Sequence, residues 1–114
     1  MTYDLIVISA SRDRDLIRNT QQTIDTCISE GTVNVILVET YKKHGYLNVN
    51  TYVMYEGEFN YNRALNEGLK HRKSDVQILA NNDIVFSPGW SKIGDIMKVN
   101  DYLSASALSN DIRQ

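Results

Sequence analysis

One cysteine, Cys27, is all that the 114 residues contain, so an internal disulfide is excluded and a reducing compartment fits. No cysteine pair and no His-x-x-x-His spacing is present, which removes the usual zinc sites. No apolar run approaches the ~18 residues that a membrane span requires, and the N-terminus lacks a signal-peptide pattern. The expected location is therefore cytoplasmic, without a membrane span. Basic charge is also scarce: 12 Lys and Arg against 14 Asp and Glu give a net charge of -2, so a nucleic-acid partner is not expected. Both glycine-rich phosphate devices are missing. There is no G-x-x-x-x-G-K-[ST], and Ser9-Ala10-Ser11-Arg12-Asp13 stands where a G-x-G-x-x-G would follow the first strand. A diphosphate would need a cation to neutralise it. No repeat, linker or low-complexity stretch interrupts residues 1–114, which read as one domain.

What is present is an alternation of strands and helices. Tyr3 to Ala10 is a nearly continuous apolar, β-branched run, as expected of a central strand covered on both faces. Ser11 or Asp13 caps the next helix, whose apolar positions Leu16, Ile17, Ile24, Cys27 and Ile28 keep helical spacing up to Gly31. Cys27 lies on that stripe and reads as a core thiol. Val33 to Val38 is a second buried strand, ending in Glu39-Thr40; the three segments form a βαβ unit. Residues 41–50 read as a loop, with His44 solvated, and Thr51 to Tyr55 as a short third strand broken by Gly57. The tyrosines at 41, 46, 52, 55 and 61 could stack a base or a sugar, but strand and core use accounts for them as well.

Phe59 to Leu69 carries a strong helix signal, with Asn60 as cap and Phe59 and Ala64 placed as a hydrophobic staple. Gly68 inside it costs about 1 kcal/mol relative to Ala, which points to a close approach to another backbone. Asn62, Arg63 and Asn66 share one side and face either the same cleft as the next strand end or solvent. Lys70-His71-Arg72-Lys73 complements the dipole at the helix end. Val76 to Ala80 is a fourth strand that stops at Asn81-Asn82-Asp83. Ser87 and Pro88 then open a helix with Trp90, Ile93, Ile96 and Met97 on its apolar face, and Tyr102 to Leu108 is a candidate fifth strand. The order predicts an α/β fold: an open, mostly parallel, Rossmann-like sheet with helices on both faces.

Such sheets place ligands beyond the carboxyl ends of their strands. Asn81-Asn82-Asp83 stands at one of those ends. Its oxygens suit a hard cation, Mn²⁺ or Mg²⁺, when a phosphate completes the shell. The same three residues are also what a plain turn would use.

The segment Asn81-Asn82-Asp83-Ile84-Val85-Phe86-Ser87-Pro88-Gly89-Trp90 resembles the metal-binding stretch of GT-A-fold glycosyltransferases, particularly the inverting family-2 enzymes, whose DxD motif is often written Asn-Asn-Asp before a Pro-Gly-Trp. The preceding helix, Asn62 to Leu69, is similar to that family's Ala/Asn-Arg-Gly helix, at the expected distance upstream. The resemblance runs weakly over residues 3–40 and well over 57–97. It implies a nucleotide-sugar donor and transfer of the sugar to the hydroxyl of an unspecified acceptor. It also implies a role for each matched position: Asp83 as metal ligand, Asn82 near the ribose, Ser9, Ala10 and Ser11 bordering the nucleotide, Glu39 near the base, Arg63 and Asn66 by the phosphates and sugar.

The departures matter too. Ser-Arg-Asp follows the first strand where the family has Pro and Tyr-Asn, and Glu39-Thr40 replaces its Asp-x-x-Ser. The family's general base comes from a second half, beyond the fifth strand, which this chain does not reach. The expectation is a truncated donor-binding half or a small natural domain. The alternative is a non-catalytic α/β interaction module that dimerises through a sheet edge. A receiver-like domain would need an acidic cluster after the first strand, and Asp4 sits at the opposite end.

Overall fold

A computed structural model describes residues 2–100. Their elements are β1 (Thr2–Ser9), α1 (Arg14–Ile28), β2 (Thr32–Glu39), β3 (Thr51–Met54), α2 (Tyr61–Leu69), β4 (Val76–Asn81) and α3 (Lys92–Asn100). The candidate fifth strand at Tyr102 to Leu108 lies outside the described residues. The four strands form one sheet in the order β3-β2-β1-β4, with every pairing parallel. The fold is the open, Rossmann-like α/β arrangement that the sequence predicts. No helix among the described residues is long and apolar enough to cross a membrane.

The two-residue period of β1 explains why its apolar run has no polar face. Leu5 and Val7 pack with Val35, Leu37 and Ala80 under Ile24 and Cys27 of α1. Ile6 and Ile8 pack with Ile36 and Val38 under Ala64 of α2 on the other face. Each such buried aliphatic side chain contributes about 1.5–3 kcal/mol. Burial pushes the Cys27 thiol up to about 12, so it stays protonated as a core residue.

The helix ends obey local chemistry. Asp13 caps α1 by accepting from Leu16 N at 2.9 Å, and Gly31 turns the chain at φ +84. Asn60 caps α2 through Arg63 N at 3.1 Å. The Arg72 guanidinium donates to Leu69 O at 3.1 Å, so the basic cluster does cover the end of α2. The staple is weaker than expected, because Phe59 is 57% exposed.

Gly68 does mark a close approach, but to sheet side chains rather than to backbone. A Cβ there would lie 2.7 Å from Ile6 Cγ2 and 3.0 Å from Val38 Cγ2. Both neighbours are β-branched and stiff at χ1, so neither yields easily. Gly68→Ala is therefore expected to lower stability by ~1 kcal/mol or more, overpacking outweighing the helix-propensity gain. Urea midpoints check this; a raised midpoint would mean that the sheet face accommodates the methyl group.

The segment after β4 departs most from the sequence reading. Gly89 has φ +91, a conformation no α-helix admits, so Pro88 does not open a helix and α3 begins at Lys92. What holds the intervening chain is α1 and the residues just after it. Thr23 Oγ1 accepts from Ile84 N at 3.1 Å and Thr26 Oγ1 from Phe86 N at 3.0 Å. The Glu30 carboxylate accepts from Gly89 N at 2.8 Å and from the Ser91 hydroxyl. Thr23 and Thr26 share one face of α1 and Glu30 follows just beyond its C-cap, so the three follow the extended chain step by step. Trp90 then packs edge-on against Tyr3 and Phe86, with ring centroids 5.0 and 5.4 Å apart.

Candidate functional site

The strand order fixes where a ligand fits. From β1 the chain moves outward to β2 and β3, then returns to β4 on the other side of β1. Between the carboxyl ends of β1 and β4 the winding reverses, and open α/β sheets have a crevice at that point. A crevice of about 330 Å³ lies there, open to solvent. Ser9, Ala10 and Arg12 form the wall after β1, and Asn81, Asn82 and Asp83 the wall after β4. Ile8 and Leu16 line the interior, and Thr40, Phe59 and Tyr61 close the sides.

Asp83 is exposed on that wall, and among the described residues its carboxylate enters no hydrogen bond or ion pair. Asn82 beside it is half-buried, and Asn81 Oδ1 accepts from the Tyr61 hydroxyl at 3.4 Å, which links the start of α2 to the end of β4. No group of three or more His, Cys, Asp or Glu side chains that could enclose a metal occurs among the described residues. The donor set fits a divalent ion in one way only. Asp83 and the neighbouring amide oxygens would hold the ion only together with ligand phosphates, a mixed donor set that suits Mg²⁺.

Glu39 is placed differently from the sequence expectation. Parallel register sets it beside Ser9, where it is fully buried. Its Oε1 accepts from Ser9 Oγ at 3.0 Å and Ser11 Oγ at 2.6 Å; its Oε2 accepts from Ser11 N at 2.9 Å and Tyr41 N at 3.0 Å. Since Ser11 gives its proton to Glu39, the Tyr46 hydroxyl donates to Ser11 Oγ at 2.7 Å. Both oxygens are thus occupied, and Glu39 shapes the β1–α1 loop from behind rather than facing a ligand. Ser11 is drawn inward with it and is not on the crevice wall, whereas Ser9 and Ala10 are.

Arg63 and Asn66 are exposed and lie off the crevice wall, because Ala64 and Gly68 turn the opposite side of α2 onto the sheet. Phe59 and Tyr61, at the start of that helix, occupy the position instead. The sequence reading passed over Arg12 and Phe59, and weighed Tyr61 as a stacking residue without assigning it to the site. Arg12 was identifiable from its position directly after β1; the two aromatics had read as helix-start and core residues. Of the remaining tyrosines, Tyr46 and Tyr52 pack on the α1 face and Tyr55 on the α2 face, while Tyr41 is exposed. No family model, curated protein or solved structure matches this chain.

Proposed function

We propose that the crevice binds the diphosphate of a nucleotide-sugar, and that the chain is the donor-binding portion of a GT-A-like glycosyltransferase of the family-2 type. The observation that supports this reading most is Asp83: an unengaged carboxylate beside two amides, on the crevice wall at the switch point of a parallel sheet. Asp83 and the neighbouring amide oxygens would hold Mn²⁺ or Mg²⁺ against the donor's phosphates. Bound there, the ion would supply positive charge to the departing nucleoside diphosphate. Asn82 borders the ribose, and Ser9 and Ala10 border the nucleotide. Glu39 positions the loop that carries them. Among the described residues that line the crevice, Asp83 is the one carboxylate, and as a metal ligand it is not the base that deprotonates an acceptor. With a buried lone thiol and no long apolar helix among the described residues, we place the activity in the cytoplasm.

Calorimetry with UDP, GDP and dTDP, with and without Mn²⁺, tests the reading. Metal-dependent heat with at least one of them is expected; none with any would remove the proposal. Asp83→Ala is expected to abolish the metal-dependent component while shifting stability by no more than ~0.5 kcal/mol, as for a surface substitution. Unchanged binding by the variant would end the metal role.

A second reading, a non-catalytic module that pairs through a sheet edge, has one observation in its favour. β4 is an outer strand among the described residues, and its Leu79 is 50% exposed. Sedimentation separates the two, since a monomer that binds nucleotide excludes the pairing module.

A further inference from the structure

Loops that hold phosphates in open α/β folds do so with free backbone N–H groups at a helix N-terminus. The β1–α1 loop has already committed two of its own. Ser11 N donates to Glu39 at 2.9 Å, and Arg12 N donates to Ala10 O at 2.8 Å in a tight turn. At the start of α1, Asp13 accepts from Leu16 N and brings its negative charge to the positive end of the dipole. An acidic cap and these committed amides disfavour backbone recognition of a phosphate on this side, and a cationic side chain is the better donor.

Among the described residues that line the crevice, Arg12 is the one cationic side chain. It forms no ion pair with a carboxylate among the described residues, and its guanidinium lies 5.7 Å from the centroid of the Tyr41 ring. The Lys42 ammonium lies 5.5 Å from the same ring. An exposed ring that steadies a guanidinium without neutralising it keeps the donors available to an anion. The wall across from it carries Asp83. A metal-free diphosphate therefore meets one attracting and one repelling charge.

We propose that Arg12 is a phosphate-binding residue, gripping the diphosphate from the β1 side while the Asp83-held cation engages it from the β4 side. This rests on the nucleotide-sugar reading and extends it. It predicts a component of phosphate affinity that survives without metal, and opposite signs for substitutions on the two walls.

The test titrates the parent chain, Arg12→Gln, Arg12→Lys and Asp83→Asn with inorganic pyrophosphate and with UDP, GDP and dTDP, each with and without Mn²⁺. Circular dichroism confirms that each variant is folded. Arg12→Gln is expected to weaken diphosphate and pyrophosphate binding roughly ten- to hundredfold with or without Mn²⁺, the loss of charge-assisted hydrogen bonds. Arg12→Lys should recover part of it. Asp83→Asn should strengthen metal-free binding by removing the repelling charge, and lose the gain that Mn²⁺ brings. A nucleoside diphosphate bound equally by the parent and Arg12→Gln overturns the role of Arg12 and leaves the donor reading standing. Arg12-dependent binding of pyrophosphate without binding of any nucleotide supports the phosphate site and overturns the donor reading. A parent that binds neither overturns both.

Discussion

Glu39→Ala is expected to cost about 3–5 kcal/mol, because it removes at once the acceptor that four donors share. Two of them, Ser11 N and Tyr41 N, are backbone groups fixed by the loops that carry them. The other two, the Ser9 and Ser11 hydroxyls, rotate. That difference predicts a ranking. In Glu39→Gln the amide oxygen can serve the two backbone donors while its NH₂ donates to the serine hydroxyls, which turn to accept. Glu39→Gln should therefore lose only about 1–2 kcal/mol, the difference between a rearranged network and an absent one. Urea unfolding reads both as lower midpoints at unchanged slope. Equal losses for Ala and Gln would show that the charge itself, rather than the pattern of acceptors, holds the loop.

The second large effect belongs to Asp4, at the opposite end of the sheet. Register places Asn34 and Gln77 on either side of it, and both donate to it, at 2.9 and 3.1 Å. Lys73 N and Ser74 N, from the turn after α2, each donate at 2.9 Å. Burial alone would raise the pKa of this carboxyl. The hydrogen bonds from Asn34, Ser74, Gln77 and Lys73 together outweigh burial and hold it below the ordinary value of 3.8. A folded-state pKa below the unfolded one gives stability that is present above about 3.8 and disappears as pH falls through the lower, folded-state value. Asp4→Asn should thus lose about 2–4 kcal/mol at pH 7, and the gap to the parent should narrow as the pH drops below 4. Urea midpoints of both proteins at pH 7 and pH 3 measure it. A gap that stays constant with pH would mean that the ionised form is not what the four donors hold.

Neither carboxylate announces itself in the sequence. Each is the one charged residue in a strand of otherwise suitable composition, and its burial is decided by partners 28 to 73 residues away, apart from Tyr41. The strands themselves were legible, because β-branched runs without a polar face suit only a sheet covered on both sides. Asp13, Asn60 and Gly31 likewise mark α1 and α2 by local chemistry alone. The start of α3 was not legible from Ser87 and Pro88, since the capture of Gly89 and Ser91 by Glu30 depends on a contact 59 to 61 residues away.

The site was partly legible for the same reason. Asp83 follows from a strand end and a topological rule. Arg63 and Asn66 required the rotation of α2, and that rotation was in fact available. Ala64 and Gly68, one turn apart, are the small residues that let a helix sit close on a sheet. At about 100° per residue, Asn66 falls on the far side from Ala64.

Helix α1 touches both lips of the crevice. Its first turn follows closely after Arg12, and its second half grips the backbone just beyond Asp83 through Thr23 and Thr26, with Glu30 after its C-cap adding a further hold. The two lips therefore share one rigid mount, and the gap between them cannot widen unless that rod bends or releases those amides. A guest too large for the resting gap has to be admitted along the flank by Phe59 and Tyr61, which α1 does not brace.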